Sequence, residues 1–232
     1  MSVAVVRRIP CVVEALEDHG EHVYTVHLRP HAPAPRFKPG QFLHLALDPY
    51  EPGGFWPESR VFSIASPPAV GELLAVTYAV KGDFTGRMER ELSVGTDVWV
   101  KLPYGEFVVD AANDVVLFAG GTGVTAFTAF LHSLTSEGAP RVLLCYGARR
   151  SELFVYRPLV EECQRRAPGF EARLFAEDRD GRLSVEAVWD AVTRLHAPIF
   201  YLSGPPPMLS AISAELSDHG VPPDVVKTDA WE

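Results

Sequence analysis

The chain has 232 residues, 47% of them hydrophobic and 22% charged, with a formal net charge of −9. An acidic balance without a long basic run argues against nucleic acid or an anionic membrane surface as the main partner, and no apolar run approaches the ~18 residues of a membrane span. Cys11, Cys145 and Cys163 are too few and too scattered for a disulfide framework, a zinc knuckle or an iron–sulfur centre, so any such cluster is expected on another protein.

The opening MSVAVVRRIP holds no apolar core of signal-peptide length, and a cytoplasmic address is the default expectation. From there to about residue 110 the chain reads as short β runs over 12–17, 23–28, 41–47, 60–65, 73–80 and 98–103. Stretches such as RPHAPAPRFKPG and DPYEPGGFWPE separate several of them, and one helical segment over 85–94 interrupts the series. Strands at this spacing predict an antiparallel barrel or sandwich. Four histidines, His19, His22, His27 and His31, fall close together, but no zinc-type spacing is present and no metal is expected.

The run RVFSIASPP, residues 60 to 68, places Arg60 and Ser63 three apart with Phe62 between them, and so on opposite faces of a strand. A strand of purely structural purpose more often alternates apolar and polar residues than sets a cation beside an aromatic ring.

The rhythm changes near residues 110 to 113. Apolar strands over 115–120, 141–147, 171–176, 198–204 and 225–231 alternate with helical segments over 125–138, 153–166, 184–196 and 208–220. That alternation predicts a parallel, Rossmann-like sheet covered on both faces. The domains are therefore expected as 1–110, an antiparallel barrel or sandwich, and 111–232, α/β.

The loop AGGTGVTAF, residues 119 to 127, follows an apolar strand and opens a helix, and its Gly121, Gly123 and Ala126 fit G-x-G-x-x-A. Such glycines admit a pyrophosphate to the helix N-terminus, or serve a tight strand-to-helix turn. Arg149 and Arg150 stand where a dinucleotide fold usually offers an acid to the ribose. They read either as partners of a 2′-phosphate or as solvated surface. YLSGPPPM, residues 201 to 208, ends the fourth strand of this half, as a ring contact or as a rigid turn into the next helix. No G-x-S-x-G elbow is present for serine hydrolysis.

The order PGQF (39–42), RVFS (60–63), VKGDFT (80–85), LPYGEF (102–107), AGGTGVT (119–125), YGARR (146–150) and SGPPPM (203–208) resembles the ferredoxin–NADP⁺ reductase superfamily. The GDFT and PYGEF wording is similar to the ferric-reductase and NADPH-oxidase branch without its membrane helices. The resemblance implies a flavin-binding barrel followed by a NAD(P)-binding domain. It implies that Arg60 reaches the flavin phosphates, that Phe62 packs beside the ring system and that Ser63 bonds the N5 side. Val61, Tyr78, Val80, Lys81, Gly82, Phe84 and Thr85 fall in the same cofactor region, with Thr85 expected as helix N-cap and phosphate ligand. The nucleotide side is implied to comprise Gly120, Gly121, Thr122, Gly123, Thr125, Arg149, Arg150, Gly204, Pro205 and Met208. Ser203, where many members have cysteine, and Trp231, where relatives carry a ring-covering aromatic, are implied near the nicotinamide.

The function that follows is an NAD(P)H-dependent flavoprotein reductase holding FAD, with FMN as the alternative. Its acceptor is a ferredoxin-like protein, a monooxygenase partner, a ferric chelate, a quinone or free flavin. Lys81, Arg87, Arg90 and Lys101 read either as a local basic patch for docking, as phosphate ligands or as solvated surface. A monomer or weak dimer is expected. The rival reading is a regulatory nucleotide- or flavin-binding subunit with no turnover of its own.

Overall fold

The computed structural model describes residues 5–68, 73–110, 112–135 and 140–229. The backbone divides into two units, Met1–Val108 and Val109–Glu232.

The first unit is an antiparallel sheet of six strands: β1 (Arg7–Asp18), β2 (Val23–Pro30), β3 (Phe42–Ala46), β4 (Ser59–Ser63), β5 (Leu74–Ala79) and β6 (Asp97–Tyr104), in the order β4-β3-β6-β1-β2-β5. The amide of Ala65 donates to the Ala75 carbonyl at 2.8 Å, which ties the segment after β4 to β5 and nearly closes the sheet into a barrel. Alternation does the rest: Ile9, Cys11 and Val13 on β1, Leu43 and Leu45 on β3 and Val98, Val100 and Leu102 on β6 are all buried inside. Helix α1 (Asp83–Glu91) follows β5 and buries Phe84 and Met88.

The sequence places the first strand at 12–17, whereas β1 begins at Arg7. Pro10 pairs with Trp99 of β6, and on the β2 side its carbonyl accepts from the His31 amide at 2.9 Å while register pairing with β2 begins at Cys11. The ladder therefore tolerates its missing N–H.

The second unit is a parallel sheet of β7 (Val115–Gly120), β8 (Val142–Ala148), β9 (Phe170–Ala176), β10 (Ile199–Ser203) and β11 (Val226–Asp229), ordered β11-β10-β7-β8-β9. β7 is buried along its whole length and β8 at all but one position, as a sheet covered on both faces requires. Helices α2 (Thr125–Ser133), α3 (Arg157–Arg166), α4 (Glu177–Asp180), α5 (Trp189–Val192) and α6 (Pro206–Asp218) complete the unit.

Two helical expectations change. The segment 184–196 forms a 3₁₀ turn, Glu186–Val188, and only four α-helical residues, Trp189–Val192. Its β-branched and aromatic residues are poor helix formers, and burial of Val185, Val188 and Val192 in the sheet core decides their backbone instead. The segment 153–166 starts at the end of a 3₁₀ turn, Ser151–Leu153, and becomes α-helical only at Arg157, with Pro158 in the first turn. Cys11, Cys145 and Cys163 are free and buried, and burial pushes the Cys11 thiol up to about 12. No helix among the described residues is long and apolar enough to cross a membrane.

Candidate cofactor and nucleotide sites

In the barrel, β4 pairs with β3 so that Arg60 faces Leu45, Phe62 faces Leu43 and Ser63 faces Phe42. Arg60 and Phe62 thus share one face of β4, and Val61 and Ser63 share the other. The Arg60 guanidinium lies 5.3 Å from the Phe84 ring centroid at the start of α1. It donates to its neighbour's carbonyl, Ser59 O, at 3.0 Å and stands 3.4 Å from Glu58, with about half the side chain exposed. Phe62 meets Tyr78 edge-on at 6.2 Å, and Tyr78 stacks on Tyr24 at 5.5 Å.

The Tyr78 hydroxyl is buried with no hydrogen-bond partner among the described residues, an arrangement that costs about 1–3 kcal/mol if left so. Burial holds its pKa well above the ordinary tyrosine value, so it stays a donor at every physiological pH. An acceptor-rich ligand seated along Arg60, Phe62 and Tyr78 would satisfy it.

Thr85 is not the N-cap of α1. Gly82 occupies that position, and Thr85 sits three residues on, its Oγ1 accepting from the amides of Lys81 at 2.8 Å and Gly82 at 3.2 Å. The hydroxyl is committed to folding the entry to the helix. With glycine as cap, no side chain satisfies the first-turn amides of α1, and the space above Gly82 is open. A helix start of this kind offers N–H donors and a positive dipole end to an anion. Val80 and Lys81 lead into the turn, the Val80 amide being held by His22 O at 3.0 Å.

In the second unit, β7 runs into a 3₁₀ turn, Gly121–Val124, and then α2, again without a side-chain cap. The glycines divide by purpose. A Cβ on Gly120 would lie 2.4 Å from Met208 Sδ and 2.9 Å from Pro205, and one on Gly123 would lie 2.4 Å from Ser203 O. These two let the turn after β7 pack against the turn after β10. Gly121 has φ +54° and nothing within 4 Å of its would-be Cβ, so its backbone faces open ground. Thr122 is half-buried, and its carbonyl accepts from the Thr125 hydroxyl at 2.8 Å. Gly204, Pro205 and Met208 thereby stand beside the glycine turn at the carboxyl ends of β7 and β10, the region where open α/β sheets take ligands. Arg149 and Arg150 follow the neighbouring strand β8 and are exposed.

Asp229 escaped the sequence reading. It ends β11 opposite Ser203 in the parallel register, is 4% exposed, and accepts a hydrogen bond from the Ser203 hydroxyl at 3.1 Å. No local motif marks it, because the contact depends on strand order. Trp231 lies outside the described residues. The histidines weighed for metal have protein partners: His19 with Thr25 at 2.8 Å, His22 with Glu89 at 2.6 Å and His27 with Glu17 at 2.7 Å.

Comparison with known proteins places this geometry. Residues 117–214 match the oxidoreductase NAD-binding domain family. The chain is 32% identical over 215 residues to the reductase component DmpP of phenol 2-monooxygenase from Pseudomonas sp. strain CF600, covering 86% of this chain and 59% of that protein. It is 31% identical over 237 residues to the reductase component of propane 2-monooxygenase from Rhodococcus jostii strain RHA1, covering 94% and 62%. The chain thus spans about three fifths of the length of these relatives. Among solved structures it shares its fold with the Amycolatopsis cytochrome P450 reductase GcoB, with a TM-score of 0.83 at 21% identity over 99% of this chain and 71% of that one.

Proposed function

We propose that this chain, which carries an oxidoreductase NAD-binding domain and has the two-domain architecture of the ferredoxin–NADP⁺ reductase superfamily, is an NAD(P)H-dependent flavoprotein reductase that feeds an oxygenase. The observation that carries the reading is the barrel cluster. An arginine, an aromatic ring, a buried tyrosine hydroxyl with no acceptor among the described residues and an uncapped helix start all lie around β4, β5 and α1. That set suits a planar ring system joined to phosphates, as in FAD. Bound flavin would supply the chemistry that side chains lack, accepting hydride from a reduced nicotinamide and releasing electrons to the acceptor.

The chain's own residues do the rest. Arg60 holds phosphate oxygens through its planar fork, and the first-turn amides of α1 add neutral donors. Tyr78 donates a hydrogen bond from its hydroxyl to a ligand acceptor, and Phe62 offers a ring edge beside it. Ser63, at the end of β4, presents a hydroxyl able to donate or accept as the facing group changes protonation. In the second unit the backbone of Gly121 and the start of α2 receive the pyrophosphate of NADPH or NADH, and Arg149 and Arg150 meet a 2′-phosphate. Ser203 is oriented by Asp229, which fixes its hydroxyl direction at the nicotinamide end. Relatives that are reductase components of monooxygenases support a redox protein as acceptor.

Steady-state assays with the purified chain test the reading. NADPH- or NADH-dependent reduction of ferricyanide should require FAD, and FMN should support it less well. Equal rates with and without flavin would overturn it, whereas flavin binding without turnover would select the regulatory-subunit reading.

A further inference from the structure

On the sheet face that carries Val61 and Ser63 of β4, opposite Arg60 and Phe62, three basic residues stand side by side across three strands. Arg8 of β1 faces Lys101 of β6, and Lys101 faces His44 of β3. Like charges directly opposite one another on a sheet destabilise it, and in a chain with 30 acidic against 21 basic residues the sequence had many carboxylates to offer. It uses them elsewhere: Arg29 and Arg182 each hold one, and Arg87 and Arg173 each hold two. Arg8, Lys101 and His44 have no ion pair among the described residues.

Aromatic rings surround the row. Lys101 Nζ lies 5.2 Å from the Tyr104 centroid and 5.9 Å from that of Trp56, and the Arg8 guanidinium lies 5.2 Å from that of Tyr50. Lys101 and Tyr104 are three apart on one strand and would ordinarily point to opposite faces. The pairing shifts between Phe42 and His44, so that β6 spends one extra residue there. This bulge turns Tyr104 to the Lys101 side. The result is an open groove of about 560 Å³ whose lining includes Arg7, Arg8, Tyr50, Pro52, Lys101 and Tyr104, with no carboxylate among its lining residues. That volume falls in the range of small-molecule pockets.

We propose that this groove is a binding site for a small planar organic anion of the aromatic carboxylate class, lined by none of the residues assigned to the flavin or the nucleotide. The carboxylate is placed between Arg8 and Lys101, and the ring lies against Tyr50 and Tyr104. Aromatic rings beside two cations suit a planar ring that carries one carboxylate. The cation–π contacts hold both basic heads in place before the ligand arrives. The proposal does not depend on the reductase reading, because binding is measured without turnover.

The test is calorimetric titration of the purified chain with 1-naphthoate at low salt and pH 7.5. One equivalent is expected to bind, at least ten-fold more tightly than neutral 1-naphthalenemethanol or inorganic phosphate. The double variant Arg8→Met, Lys101→Met should lose at least ten-fold in affinity while melting at the same or a higher temperature, since an opposed pair of like charges is gone. Lys101→Met alone serves if the double variant misfolds. In the wild-type chain, saturating ligand should raise the His44 pKa read by NMR. Equal binding by the double variant, equal binding of the neutral compound, displacement of naphthoate by NADPH, or binding of an acidic peptide but not of naphthoate would each overturn the proposal.

Discussion

The two units hold their candidate ligand groups in different ways. In the parallel sheet the groups gather at the carboxyl ends of β7 and β10, mostly as backbone: a glycine turn, an uncapped helix start and a proline-stiffened corner. In the barrel they stand along strands as side chains, brought together by pairing between residues far apart in the chain, such as Phe62 with Tyr78 or Arg8 with Lys101. The parallel sheet gets precision from close backbone packing, so its tolerance for substitution is low. The barrel gets it from register, so single side chains there can be exchanged with the fold intact.

Glycine substitutions give the largest expected contrast. Gly123→Ala drives a methyl against the Ser203 carbonyl, and overpacking of this kind should cost about 3 kcal/mol or more in urea unfolding. Gly121→Ala has room and bears only the left-handed backbone, roughly 1–2 kcal/mol. Its main effect should be on nucleotide affinity. Similar stability losses for the two would break the division between packing and open glycines.

Next in size is the Ser203–Asp229 pair. Ser203→Ala removes a donor from a buried carboxylate and should cost about 1–3 kcal/mol. The rate of hydride transfer in stopped-flow should fall while nucleotide affinity changes less. An unchanged rate would leave the pair a packing feature.

Arg60→Ala on the barrel should behave in the opposite sense. Its contact with Glu58 is exposed and worth roughly 0–1 kcal/mol, so stability should hardly move. Flavin affinity should fall by about ten-fold or more, the loss of a charge-assisted hydrogen bond. Retention of flavin on dialysis would remove Arg60 from the cofactor site.

The smallest effect is at His44. Burial, and then the positive charge of Lys101, lowers its pKa below the ordinary histidine value. The folded chain therefore binds its proton less readily than the unfolded one. The stability tied to neutral His44 is complete above the unfolded pKa and declines as the pH falls below it, towards the folded value. NMR titration should find a depressed value that Lys101→Met partly restores. An ordinary value in the wild-type chain would contradict the unpaired basic row.

These contrasts also explain what the sequence could disclose. The glycine turn and the Ser203–Met208 corner were legible because each is written within a few residues, in a strand-turn-helix context. The barrel strands were legible by alternation. Asp229 was not, since only the β10–β11 register brings it to Ser203. The Arg8–Lys101–His44 row was hidden for the same reason, and the β6 bulge made it harder still by reversing the face on which Tyr104 would be counted. Thr85 was misplaced as an N-cap because a threonine near a helix start reads the same at either position, and only hydrogen bonds separate them.

The central claim is that this chain passes electrons from a reduced nicotinamide through a flavin held by the barrel. The most direct measurement is a visible absorption spectrum of the purified, FAD-reconstituted chain under argon, taken before and after NADPH and then NADH. The account predicts a flavin spectrum that bleaches within seconds with at least one donor. A spectrum that stays yellow with both donors, or a chain that takes up no flavin, would contradict it.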